Sequence, residues 1–123
     1  MKIRGVETKS ESNEIQCWGE NPNAQILRVE LRDGSLNLYP YAWLERVQFL
    51  PAEEADSMTL FFNRQTVHIT GKKLRDLVSA LQRMAVEWVK EQPEIYQQNE
   101  TTAFVQKIEL KPVNPRTDGL PDA

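Results

Sequence analysis

Cysteine, histidine and glycine are scarce in this chain of 123 residues, which has one Cys, one His and five Gly. With Cys17 alone, no internal disulfide and no cysteine-rich structural zinc site can form within one chain, which fits a reducing compartment. His68 alone leaves little imidazole chemistry, because a histidine that activates a nucleophile is itself held by a third group. Basic charge is short as well. Fifteen Lys and Arg against 18 Asp and Glu give a formal net charge of −3, so counterion-releasing binding to nucleic acid is disfavoured. Long apolar runs are missing. No stretch approaches the length that crosses a bilayer, and Met1 to Lys9 lacks the apolar centre of a secretion signal. The expectation is a cytoplasmic protein with no membrane partner.

What is present is globular in character. The chain is 40% hydrophobic and 27% charged, near the average for folded domains, and its length suits a single core. Residues 1–111 are expected to form one domain. From Pro112 onward, prolines, Gly119 and scattered charges predict a disordered tail over 112–123.

Two segments read as hairpins. In Leu27 to Tyr39, apolar and polar residues alternate on both sides of Asp33-Gly34, a dipeptide that favours a type I′ turn. A two-residue loop there sets Leu31 against Leu36 and Val29 against Leu38, with Leu27, Val29, Leu31, Leu36 and Leu38 facing inward. The second hairpin pairs Met58–Phe62 with Thr66–Thr70. A loop at Asn63-Arg64 sets Leu60 against Val67 and Met58 against Ile69, and leaves His68 on the polar side opposite Thr59; a loop centred on Arg64-Gln65 keeps the same faces. Shorter strands are expected at Ile3–Val6, Glu14–Trp18, Arg46–Leu50 and around Phe104–Leu110, with a turn or single helical turn at Tyr41–Leu44 after Pro40.

From Lys72 the period changes to that of a helix. Leu74, Leu77, Val78, Leu81, Met84, Ala85 and Trp88 make one stripe, Thr70 offers a cap and Pro93 a stop, predicting a helix from about Lys72 to Glu91. Burying each large stripe residue stabilises by roughly 1.5–3 kcal/mol. The fold class is therefore α+β: an antiparallel, meander-like sheet of five to seven strands with one long amphipathic helix packed on it.

Few residues carry chemistry. Gly71-Lys72-Lys73 departs from a phosphate loop, since the earlier glycine position is Thr66 and the residue after Lys72 is not Ser or Thr. Glu53, Glu54 and Asp56 lack the alternating oxygen ligands and turn glycine of a calcium loop. No catalytic residue, metal ligand or cofactor is assigned. Tyr39, Tyr41 and Trp43 recur at every second position near Arg28 and Arg32, and rings beside guanidiniums can grip a peptide or stack a base. These five are the binding candidates, although the rings would equally close one end of the core, with Tyr39 opposite Arg28.

Leu31-Arg32-Asp33-Gly34 with Pro40-Tyr41 and Leu44, then Leu60-Phe61-Phe62 with Val67, Ile69, Gly71 and Leu74, and Val86 to Val89, together resemble a small bacterial sheet-plus-helix domain family of unknown function. The resemblance spans about half the chain and implies no activity or site. Several strands before one helix also resemble the element order of a pleckstrin-homology-like barrel, the alternative architecture. The leading functional expectation is a noncatalytic protein-binding or assembly module, self-association included. The alternatives are a small enzyme using carboxylates or a Cys17–His68 pair, and single-stranded nucleic-acid binding through the aromatics and arginines.

Overall fold

Strand-forming sequence dominates the chain beyond what its hairpins alone announce. The computed structural model describes residues 16–93 and 103–113. In chain order these form β1 (Trp18–Glu20), β2 (Ile26–Glu30), β3 (Leu36–Pro40), a 3-10 turn (Tyr41–Trp43), β4 (Leu44–Leu50), β5 (Asp56–Phe62), β6 (Gln65–Lys72), α1 (Arg75–Gln82), β7 (Val86–Lys90) and β8 (Phe104–Pro112). The expected strand at Ile3–Val6 and the residues from 114 onward lie outside the described residues, and Pro112 belongs to β8 rather than to a tail.

The single meander is corrected to two four-stranded sheets, in the orders β1-β7-β2-β3 and β4-β5-β6-β8. Among the described residues no barrel closes, so the pleckstrin-homology-like alternative is not what the two sheets form. The second sheet is antiparallel throughout. The first is mixed, because β7 lies antiparallel to β1 and parallel to β2. Leu27 and Val29 from the first sheet, Met58, Leu60, Phe62, Val67 and Ile69 from the second, and Leu74, Leu77 and Leu81 around the helix belong to one apolar cluster.

The long helix is also corrected. Its stripe is buried at Leu74, Leu77 and Leu81, as amphipathic spacing requires, but α1 ends at Gln82 and Met84 is 51% exposed. Met84 takes φ of 53°, its N–H donates to the Leu81 carbonyl at 2.9 Å, and the Ala85 N–H donates to the Ala80 carbonyl at 2.9 Å. This is a Schellman stop made without the usual glycine. Val86 to Lys90 then enters a central strand, where β-branched and aromatic residues pack well. Thr70 is not the cap: it sits within β6, and the Leu74 N–H at the start of α1 instead donates to the Asp56 carboxylate at 3.2 Å.

Gly71 belongs to β6 rather than to a joint between strand and helix. A Cβ there would run into the Phe104 carbonyl of β8, next to the register shift between Thr70 and Gly71. Only glycine lets the two backbones approach this closely.

The first hairpin departs from expectation by one residue. Observed partners are Leu27 with Tyr39, Arg28 with Leu38, Val29 with Asn37 and Glu30 with Leu36. A type I′ turn needs positive φ at both central residues, but Gly34 has φ of 92° and Asp33 is not in that region. Gly34 N–H donates to the Leu31 carbonyl at 2.9 Å and Leu31 N–H to the Ser35 carbonyl at 3.0 Å. The loop is thus Arg32-Asp33-Gly34, a turn followed by a bulge glycine. Because side chains alternate, the one-residue slip turns Leu36 and Leu38 outward and Tyr39 inward.

Candidate functional site

The five expected binding residues are dispersed by this register. Tyr39 is buried, stacks on Phe62 with ring centroids 4.8 Å apart, and donates from its hydroxyl to Gln65 Oε1 at 2.5 Å. Tyr41 is buried as well. Its hydroxyl donates to the Val86 carbonyl at 2.7 Å and accepts from the Val86 N–H at 3.2 Å. Burial pushes its phenol up to about 12, against the favourable hydrogen bond to Val86. Trp43 is exposed at 53%.

The two arginines have structural partners. Arg28 Nε bonds Glu30 Oε2 at 2.7 Å, and its cross-strand neighbours are Leu38 and Trp88 rather than Tyr39. Arg32 Nη2 donates to the carbonyls of Gln92 and Gln106 at 2.9 and 3.0 Å, while its backbone N–H donates to Glu91 Oε1 at 2.9 Å. Glu91 Oε2 in turn accepts the Ile108 N–H at 3.1 Å. Arg32 and Glu91 therefore tie the first hairpin to β8.

His68 lies opposite Thr59 as the alternation requires, with Thr59 Oγ1 and His68 Nδ1 2.9 Å apart. Cys17 is buried, and desolvation pushes its thiol up to about 11, an environment that suppresses the nucleophilic thiolate. It belongs to the apolar core, whereas His68 occupies the face of β6 opposite the buried Val67 and Ile69, so the pair does not meet. Asp56 fastens its loop, accepting from Leu74 N–H and from Ala52 N–H at 3.4 Å. The neighbouring cleft of about 320 Å³ mixes Glu53 and Glu54 with Lys72 and Lys73. Among the described residues, no three His, Cys, Asp or Glu side chains group as a metal set, and no helix is long and apolar enough to cross a membrane.

A different surface stands out. Leu36 and Leu38 on β3 are 58% and 59% exposed, and Ile26 on the adjacent β2 is 47% exposed. All three occupy the outer face of the first sheet, since their alternates Leu27, Val29 and Tyr39 are buried. A shallow groove of about 590 Å³ continues from Ile26 and Pro40 to Met84. Single exposed apolar side chains are ordinary; a contiguous strip is not.

β3 is also an edge. Among the described residues it pairs with β2 alone. The Leu31–Ser35 and Tyr41–Gln25 hydrogen bonds fix which backbone groups face β2. By the two-residue alternation of an antiparallel ladder, Asn37 and Tyr39 bond β2, while the N–H and C=O of Leu36 and Leu38 point away from it. This strip escapes the sequence reading because a two-residue loop places both leucines in the core. The signal that would have found it is Gly34 at the third position of a three-residue loop. No protein-family model, curated protein or solved structure matches this chain.

Proposed function

We propose that the protein is a noncatalytic protein-binding or assembly module that works through the outer face of its first sheet and the β3 edge, which no described residue pairs. One observation carries this reading: Leu36 and Leu38 combine high exposure with outward backbone donors and acceptors on the same edge strand. An added strand satisfies such groups along its whole length, and apolar side chains at alternate positions supply the remaining contact. Edges left flat and apolar pair readily with another chain, whereas edges kept apart carry charges, bulges or prolines. Only Pro40, at one end of β3, is of that blocking kind.

A photoreactive amino acid in place of Leu38 tests the reading in living cells, with the same probe at Gln48, exposed on β4, as control. Position 38 is expected to give a covalent adduct with a polypeptide that position 48 does not give. Absence of any polypeptide adduct at position 38 would overturn the reading.

A further inference from the structure

We infer that the strand taken up by this edge is β3 of a second copy of the chain, paired antiparallel about a two-fold axis through Asn37. The inference rests on the protein-binding reading above and names its partner. Isologous pairing requires the surface to complement itself, and two features of β3 meet that requirement.

The free edge is symmetric about Asn37. Three residues before it, the Gly34 N–H is already given to the Leu31 carbonyl. Three residues after it, Pro40 has no N–H to give. Between these limits, Leu36 of one copy faces Leu38 of the other, and each facing pair exchanges two backbone hydrogen bonds, because both residues point their N–H and C=O outward. The same pairing sets leucine against leucine on the outer face.

The backbone selects this register over its neighbours, since centring on Leu38 would set Leu36 against Pro40, which has no N–H, and centring on Leu36 would set Leu38 against Gly34, whose N–H is already given to Leu31. Arg28 lies beside Leu38 and Glu30 beside Leu36, with Trp88 and Lys90 next in their respective rows. Centred on Asn37, the row of Arg28 in one copy continues into the row of Glu30 in the other. A short edge with four leucines falls below the roughly 1,200 Å² of stable interfaces, so the dimer is expected to dissociate on dilution with Kd in about the micromolar to millimolar range.

Asn37→Cys tests the geometry directly. Residues facing each other without mutual hydrogen bonds have Cα atoms about 4.5 Å apart, within disulfide reach, whereas the diagonal separation of about 7–8 Å between the two Leu38 positions is beyond it. Under mild oxidation of the full chain, Asn37→Cys is expected to give a reducible dimer and Leu38→Cys little, with buried Cys17 unlinked in both. Sedimentation of the unaltered chain should show self-association that Leu38→Lys weakens at least tenfold, which decides the matter should Asn37→Cys fail to fold. A chain that stays monomeric to about millimolar concentration, or links preferentially through Leu38→Cys, overturns the self-pairing. If that happens while the position-38 probe still captures a different protein, the binding reading stands and only the identity of the partner falls.

Discussion

The two hairpins read alike in sequence and resolve differently in space. In β5–β6, Leu60 faces Val67 and Met58 faces Ile69, with Asn63 and Arg64 between the paired Phe62 and Gln65, as their alternation requires. In β2–β3 the register moves by one residue despite a stronger turn signal. The difference lies in how many apolar phases each strand offers. β5 and β6 place large apolar residues mainly in one phase and have a partner strand on both sides. β3 offers two: Leu36 and Leu38 in one, Tyr39 and the following Tyr41 in the other. The tyrosines enter the core because they bring aromatic stacking and hydroxyl bonds with them. A turn dipeptide marks where a chain reverses, whereas burial decides which face goes inside.

The largest effect expected from this contrast is at Leu60, which is fully buried. Leu60→Ala should lower unfolding free energy by about 2–5 kcal/mol in urea denaturation. Next is Tyr41→Phe, which removes the buried hydroxyl bonded to both the carbonyl and the N–H of Val86 and should cost about 1–3 kcal/mol. Tyr41 also has a pH signature. Its phenol is raised to about 12 by burial, so the folded state keeps the proton that the unfolded chain loses near the ordinary value of 10.0. That contribution is complete below pH 10 and is lost as pH climbs through about 12. The alkaline fall in stability should therefore be shallower in Tyr41→Phe than in the unaltered chain, with the Cys17 contribution cancelling in the comparison.

Gly34→Ala comes third. Nothing lies within 4 Å of a Cβ built at Gly34, so its cost is that of φ at 92° alone, about 1–2 kcal/mol in thermal or urea unfolding. The smallest effect sharpens the comparison most. Leu38→Ala should change monomer stability, measured at dilute concentration, by less than about 0.5 kcal/mol. A loss of 2 kcal/mol or more would return Leu38 to the core and restore the two-residue loop.

Legibility in the sequence followed the same physics. The faces of the second hairpin, with His68 on the polar side, and the burial of Leu74, Leu77 and Leu81 were readable because each has a single apolar phase, although two turn positions fit those faces and the structure takes the Asn63-Arg64 loop that sets His68 against Thr59. The stretch after Gln82 was not. Ala85 and Trp88 continue a helical stripe, but Met84 holds a left-handed backbone that most sequences reserve for glycine, leaving no visible stop signal. Val86 and Val89 then serve β7, and a parallel seam with β2 has no local signature because its partner is remote in sequence. The same remoteness hid the role of Arg32, whose acceptors Gln92 and Gln106 lie far along the chain. At the candidate surface, Ile26, Leu36 and Leu38 were visible as apolar residues, but their exposure depended on a loop one residue longer than assumed.

The parallel seam between β2 and β7 also orders events in time. During synthesis, the first hairpin must wait, half-covered, until the whole second hairpin and the helix have been made, because its inner neighbour is encoded after them. Closing so wide a loop carries an entropic cost before any contact offsets it, which slows the docking of the first hairpin. Throughout that interval β2 lacks the partner that β7 will supply, and β3 has no second partner among the described residues, so whatever guards the nascent chain has to shield β2 as well as β3.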